Sequence, residues 1–459
     1  MLKSIKSLLL KLKSSQFLNQ ILVTVTGNGL GFVIGFLLTP VISRLYPPEA
    51  YGLFSIINSI VAVVLMLSTL NYTNAIVLPK SNHKFLRLVQ ICLFSLSVTT
   101  VIISLVLLVF GKFIYLKVSL PVNNLWLYTI PVLVFFSGLI QILNGWLIRL
   151  SEFKSISKSK FFGILGGKST AILIGYMKPF NLVGILIGEL VGKLFFISFL
   201  LKKQLMRRFN FLITNINIDQ IKSVALEYKR YPLFALPANW LQALILQIPI
   251  YFLSHYYNLE YVGLYSMANG LLIIPLNILG NSVASVFLKK AVEVEQAEKS
   301  LRKQTENLFF KLLYIVTVPF AVLFVFGEEI FSIILGDQWR ASGEVASIMS
   351  MYFVIQTCAI PISIIYRVKR KEKEFFFYQV ISVCIIVLAL FSSLSSQSFL
   401  MSMKYYSYGN ILVYLTGIGM TFSFLGSSIK SIIVIILKSI LTVFFVYGFI
   451  LAINYLVAS

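Results

Sequence analysis

Three ionisable side chains stand where an apolar chain has no ordinary place for them. Lys168 lies in GILGGKSTAI at 163–172, and Glu189 and Lys193 lie in the next apolar run, one helical turn apart and hence on one face. A lysine at mid-bilayer costs roughly 2.5–3.5 kcal/mol on insertion scales, so it calls for a partner or an anionic ligand. The turn between the two runs, 178–181, is short, which makes them antiparallel neighbours. Counting from it at ~1.5 Å per residue puts all three groups ~12–18 Å below the membrane surface. Their net charge is +1, so pairing of Glu189 with one lysine leaves the other free. Two chemistries are open: a cationic spot in a water-filled lumen that attracts an anionic head group, with Lys168 and Lys193 as ligands, or a buried ion-pair lock between helices. In the first, Glu189 is the only deeply placed carboxylate that could couple to a proton or sodium ion.

Gly167, Lys168 and Ser169 also end the phosphate-cradling pattern G-x-x-x-x-G-K-[ST]. The pattern fails one step earlier: its first glycine would stand at Phe162, and Gly163 comes one residue late. The flanks are phenylalanine and isoleucine rather than a soluble strand and helix, so nucleotide binding is set aside.

The elements that must hold these groups follow from composition. Of 459 residues 58% are hydrophobic and only 12% charged, with mean hydropathy +0.90, against about 25% charged in a soluble domain. Segments of about 20 apolar residues recur throughout, long enough to cross ~30 Å of hydrocarbon as helices. Period-2 alternation is absent, so helices rather than a barrel satisfy the backbone. Twelve spans fall near 17–39, 53–78, 88–110, 125–148, 161–177, 182–201, 231–253, 263–288, 307–327, 344–366, 375–394 and 405–425, and 431–457 is long enough for a thirteenth.

The net charge of +23 does not point to nucleic acid, because the basic residues are sorted by loop. Alternate loops carry 29 Lys and Arg on the side of the N-terminus and 6 on the other; Lys168, Lys193, Lys311 and Lys438 fall within spans. The positive-inside rule then makes the N-terminus cytoplasmic. MLKSIKSLLLKLKSS reads as an interfacial lead-in rather than a signal peptide, since a full-length span follows and no small-residue cleavage site does. Cys92, Cys358 and Cys384 all lie in apolar spans, and His83 and His255 are the only histidines, so neither disulfides nor a metal site nor a cofactor is expected.

EAYGLFSIIN at 49–58 recurs as EYVGLYSMAN at 260–269, an offset of 211 that also aligns Asn28 with Asn239. Six spans separate equivalent positions, and an even number preserves orientation. The fold expected is therefore an all-α polytopic membrane protein of two parallel six-helix bundles, related by a pseudo-twofold along the membrane normal, around a central cavity. The expected lobes are 1–209 and 210–425, with 426–459 an extra C-terminal helix. The linker at 202–230 carries seven basic residues and reads as an amphipathic helix on the cytoplasmic surface, held by anionic lipid.

Glycines at spacing four, Gly27, Gly31 and Gly35 in the first span and Gly184, Gly188 and Gly192 in the sixth, favour close helix packing. Pro237, Asn239, Gln242, Gln247, Pro249, Pro275, Asn277 and Asn281 gather in the seventh and eighth spans. Prolines free backbone carbonyls and amides hydrogen-bond sugar hydroxyls, so Asn28, Asn239, Gln242 and Gln247 join the candidate substrate-binding set.

LLTPVISRLYPPEAYGLFSIINSI followed by LNYTNAIVLPK resembles the amino-terminal signature of the Wzx-type O-antigen and repeat-unit flippases. They are the polysaccharide branch of the multidrug, oligosaccharidyl-lipid and polysaccharide exporter superfamily. YKRYPLFALPANWL, VGLYSMANGLLIIPLNILGNSV and GDQWRASGEVASIM are similar to its carboxy-terminal half, and the likeness spans about 17–425. It implies two six-helix lobes around a cavity open to one side at a time. It also implies a repeat-unit oligosaccharide on undecaprenyl pyrophosphate, moved from the cytoplasmic to the periplasmic leaflet of a bacterial inner membrane. Lumen lysines would answer the pyrophosphate, and a polymerase and chain-length regulator would be partners. Asn71 and Thr73 depart from the family pattern, which has Arg and an acid there, and receive no role. The competing readings are a multidrug exporter of the same superfamily, which a positively biased lumen disfavours, and a membrane polysaccharide polymerase, which lacks here the large outer loop it would need.

Overall fold

The structure is a computed structural model describing residues 31, 33–118, 124–177, 182–200, 216–296, 300–369 and 371–458. Among these residues it is all-helical, with no strand. The helices are α1 (Val33–Leu45), α2 (Pro48–Ser68), α3 (Asn82–Val118), α4 (Thr129–Arg149), α5 (Phe153–Met177), α6 (Val183–Leu200), α7 (Ile218–Glu227), α8 (Leu236–Tyr256), α9 (Leu259–Gln296), α10 (Leu301–Leu335), α11 (Arg340–Ile362), α12 (Glu372–Ser392), α13 (Phe399–Phe424) and α14 (Ile429–Ala458).

Among the described residues ten helical segments are long and apolar enough to cross a bilayer. Helix α5 is outside that set because four lysines and four serines interrupt its apolar run. Large apolar side chains such as Val109 and Phe445 are more than 70% exposed, as expected where lipid tails are the solvent.

The chain divides into two compact units, Met1–Tyr46 with Ile56–Leu244, and Pro47–Ser55 with Ile245–Ser459. The division falls within α8, so α7 groups with the first unit and α14 with the second.

In the first unit α5 and α6 form the tightest seam. A Cβ on Gly167 would stand 2.7 Å from the Gly188 carbonyl oxygen and 3.1 Å from Gly192 Cα, and one on Gly163 would stand 3.0 Å from the Gly192 carbonyl oxygen. With no hydrophobic drive between helices in lipid, such small-residue contact is what joins them. Tyr46, fully buried at the end of α1, closes one end of the seam by donating its hydroxyl to the Ala171 carbonyl at 2.6 Å, in space that Gly175 and Gly184 leave open. Arg149 ends α4 by donating to the Pro79 and Lys80 carbonyls and lies over the Phe85 ring at 4.6 Å, bracing the α2–α3 connection.

In the second unit α11 is the central helix, packed on α9, α10 and α13. Gly327 and Gly343 let α10 and α11 cross backbone to backbone. Helix α14 packs on α10 through Tyr447, whose ring is 4.9 Å from that of Phe324 and whose hydroxyl is 3.3 Å from Ser350 Oγ. The first turns of α2 belong to this unit, and here the sequence repeat acquires a geometry. Gly52 faces the Leu259 carbonyl and the Gly263 nitrogen, while Gly263 faces the Pro48 carbonyl and the Gly52 nitrogen. Each glycine of the repeated motif therefore seats the other copy, a reciprocal contact of twofold type.

Candidate functional site

The site is built on the far side of α5 from its glycine seam. Gly163 and Gly167 are committed to α6, and Lys160, Ile164 and Lys168, at spacing four, face α1 instead. Gly35 on α1 and Gly31 just ahead of it make room for them: a Cβ on Gly31 would meet Ile164 Cδ1 at 3.2 Å and Lys160 Cγ at 3.9 Å, and one on Gly35 would meet Ile164 Cγ2 at 3.6 Å and Lys168 Cε at 4.0 Å. These two glycines at spacing four are thus the seat of the α5 lysines.

The Lys168 ammonium donates to the Gly35 carbonyl at 2.5 Å and to Thr39 Oγ1 at 2.8 Å. Thr39 in turn donates to the same Gly35 carbonyl at 2.7 Å. Among the described residues both acceptors of Lys168 are neutral oxygens, which take two of the ammonium's three N–H donors, and no carboxylate pairs with it.

Glu189 and Lys193 behave differently. They form a 2.8 Å ion pair within α6, with side chains 36% and 18% exposed. Contact of Gly167 with Gly188 and Gly192 puts Lys168 level with this pair along the helices, as the depth count expects. Of the two pairings the sequence left open, Glu189 takes Lys193 on its own helix, and Lys168 donates to α1. The physical reason is the tightness of the seam, which leaves no room for long side chains between α5 and α6 and turns them outward.

Asn239 and Gln242 share a face of α8, half-buried and exposed respectively, in the first unit. Gln247, half-buried, stands ~140° around the helix from Gln242 and falls in the second unit. Asn28 lies outside the described residues, as do the side chains of Asn277 and Asn281. The prolines of this region act on the backbone: a π-helical turn at Tyr231–Ala235 containing Pro232 leads into α8, and Pro249 and Pro275 lie inside α8 and α9.

Lys160 was not among the sequence candidates. Its signal was present, since it stands eight residues before Lys168 and so on nearly the same face, but it sits just before the apolar run and reads there as a loop lysine. At Asn71 and Thr73, where charged residues are absent, neutral pairs stand instead: Asn74 donates to Asn71 Oδ1 at 2.6 Å, and the Thr69 and Thr73 hydroxyls are 3.3 Å apart. Asn71 itself takes a left-handed backbone, φ 60°. Among the described residues no cluster of His, Cys, Asp or Glu could hold a metal ion.

The described residues form an all-helical, multi-pass membrane fold with Lys168 at the level of its tightest helix seam. The profile of the family described as polysaccharide biosynthesis protein matches residues 41–344, and the chain belongs to that family. The fold is similar to an inward-facing multidrug resistance MATE family transporter of the MOP superfamily (TM-score 0.62, 15% identity, 85% of this chain and 94% of that one). It is similar also to the lipid II flippase MurJ in an inward closed conformation (TM-score 0.63, 14% identity, 95% and 98%). A third similar structure is a MOP superfamily transporter from Pyrococcus furiosus (TM-score 0.59, 14% identity, 89% and 96%). No curated protein matches by sequence.

Proposed function

We propose that this chain is a flippase that carries a repeat-unit oligosaccharide linked to undecaprenyl pyrophosphate across the bacterial inner membrane, from the cytoplasmic to the periplasmic leaflet, by alternating access. The product would supply surface polysaccharide such as O-antigen. Membership in a polysaccharide biosynthesis family supports the substrate class, and a fold shared with a lipid II flippase supports the transport of a lipid-linked saccharide. The observation that carries the site is Lys168, an ammonium whose two acceptors among the described residues are neutral oxygens.

A charge in this state is poised for an anion. In low dielectric an unbalanced cation attracts a phosphate more strongly than it does in water, and neutral acceptors can be exchanged for charged ones at a gain, because charge-assisted bonds are about twice as strong. Lys160, one step nearer the basic end of α5, would meet the pyrophosphate first and Lys168 second. The amides of α8, Asn239, Gln242 and Gln247, and Asn28 on the first span would take sugar hydroxyls.

Glu189 is the coupling group in this scheme. A proton or sodium ion taken up by Glu189 would release Lys193 from its ion pair and add a second cation at the same depth, which favours the anion-loaded state. Loss of the ion would restore the pair and weaken the site. The chain works as a transporter and not as an enzyme, with the N-terminus cytoplasmic, and hands its cargo to a polymerase and chain-length regulator.

The test is the leaflet distribution of undecaprenyl-pyrophosphate-linked oligosaccharide in cells depleted of the protein, with a blot for surface polysaccharide. Precursor accumulating on the cytoplasmic side with loss of surface polymer is the expected result. Precursor that reaches the outer leaflet unpolymerised would transfer the role to polymerisation.

A further inference from the structure

Helix α7 joins the two sequence repeats, and its two faces are sorted by chemistry. Asn217 caps it by accepting from the Gln220 backbone N–H at 3.1 Å. One face is docked on the first turns of α3. Gln220 Oε1 accepts from Arg87 Nη2 at 2.7 Å, Glu227 pairs with Lys84 at 2.8 Å, the Ala225 carbonyl accepts from the Tyr72 hydroxyl at 3.0 Å, and Val224 is buried. At 100° per residue Gln220, Val224 and Glu227 span ~60° of arc, and Ile218, Lys222 and Leu226 span ~80° on the opposite side.

That opposite side is exposed. Ile218 is 74% and Leu226 58% exposed, with Lys222 between them, and the chain leaves α7 through exposed Lys229 and Arg230 into exposed Leu233 and Phe234. The docking face uses the acid Glu227 and the amide Gln220; the outward face keeps three cations against Asp219 as its one acid, which sits in the first turn where the helix dipole favours it. Docking on the end of a span, and continuity through the π-helical turn into the span α8, put this stripe at the membrane surface.

We infer that the Ile218–Lys222–Leu226 stripe with Lys229 and Arg230 is a binding surface for anionic phospholipid head groups, the apolar residues entering the acyl boundary and the cations meeting the phosphates. Alternation of bulky apolar and basic side chains along one stripe is the pattern an interfacial helix requires, and each basic residue near an anionic surface contributes roughly a five-fold gain in occupancy at moderate salt. The reading is independent of the transported substrate.

The test uses the full chain in nanodiscs of phosphatidylcholine alone or with phosphatidylglycerol, reading hydrogen exchange of the amides at 216–230. The expected result is slower exchange with phosphatidylglycerol, by about five-fold or more, lost at high salt and in the Lys222→Gln/Lys229→Gln/Arg230→Gln variant. Unchanged protection of the first turns of α3 checks that α7 is still folded on its seat in that variant. Equal exchange in the two discs overturns the inference, as does phosphatidylglycerol protection that the triple variant retains. Protection seen in native membrane vesicles but in neither disc overturns it in favour of a protein partner.

Discussion

Helices α5 and α6 of the first unit and α12 and α13 of the second hold the same order in their halves of the chain, yet their glycines do opposite work. On the α5–α6 seam Gly163, Gly167, Gly188 and Gly192 face backbone, so the helix axes themselves close up and long side chains are expelled. On the α12–α13 seam Gly417 faces the Tyr378 phenol, with the hydroxyl 2.8 Å from a would-be Cβ, and Gly409 faces the Ala389 methyl. Here glycine is a recess for a side chain. The polar groups differ in kind accordingly. Lysines and a glutamate surround the first seam, whereas the second unit keeps hydroxyls and an amide inside: Tyr378 donates to the Val413 carbonyl at 3.2 Å, and Asn410 donates to the Tyr406 carbonyl at 2.9 Å. A seam closed on backbone turns Lys168 away from α6 and onto α1, whereas the α12–α13 seam is filled by a phenol.

The largest effect should come from filling the backbone seam. Gly167→Leu puts a branched side chain where even a Cβ is 2.7 Å from the Gly188 carbonyl oxygen, and helix backbones cannot yield as a side chain does. We expect a loss of about 3 kcal/mol or more, at the upper end of overpacking costs, seen as a large fall in the thermal midpoint of detergent-solubilised protein. Gly417→Ala should cost less, because the atom in its way is the far end of the Tyr378 side chain, which can swing aside as backbone cannot. Equal effects would mean that the two seams do not differ as the geometry says.

Next comes Lys168→Ala, for which export should fall by at least about ten-fold, the equivalent of ~1.4 kcal/mol of lost interaction with the anion, while membrane insertion is unchanged. Lys168→Gln separates the roles: an amide can still donate to Gly35 and Thr39 but brings no charge. Stability retained with export lost assigns Lys168 to the substrate; export retained in both variants makes it a brace between α1 and α5 and no more.

The repeat, ten of the thirteen spans and the shared level of Lys168, Glu189 and Lys193 could be read from the chain, because hydropathy picks out long apolar helices and a rise of ~1.5 Å per residue sets residues of antiparallel neighbours side by side. The partner of each charge could not. Spacing puts Glu189 and Lys193 on one face but does not say which face of α5 turns to α6; that depends on Gly163 and Gly167 outcompeting Ile164 and Lys168 for the seam, a matter of shape between two helices. Glycines at spacing four looked alike in the first and sixth spans, and only the structure separates them: Gly188 and Gly192 admit backbone, Gly31 and Gly35 admit the stems of lysines. Polar residues on α8 could be collected by type, but Asn239 and Gln242 lie on one face and Gln247 on another. Docking of α7 through Glu227 and Gln220 was equally hidden, since its partners Lys84 and Arg87 lie more than 130 residues away in sequence.

Glu189→Gln should have a smaller effect on stability, about 1 kcal/mol or less, because the pair is partly exposed and lies along one helix. Its effect on transport is the informative one. The variant carries Lys193 unpaired at all times, so export should lose its dependence on the ion gradient while substrate still binds. Measuring transport into vesicles with and without an imposed proton or sodium gradient checks this; a gradient response equal to that of the unaltered protein would remove Glu189 from coupling.

The smallest expected change lies in the second seam, at Tyr378→Phe. Removing the hydroxyl leaves the ring in the Gly417 recess and loses one hydrogen bond, to a Val413 carbonyl that retains its place in the α13 backbone ladder, so a cost of about 0.5–1 kcal/mol is expected. Export at permissive temperature should be unaffected, because this seam presents no charge and the phenol serves only to fill it. A Tyr378→Phe protein that is stable yet fails to transport would break the comparison at its base: hydroxyls of the second unit would then act on the substrate, and the division of labour between a charged first unit and a packed second one would have to be given up.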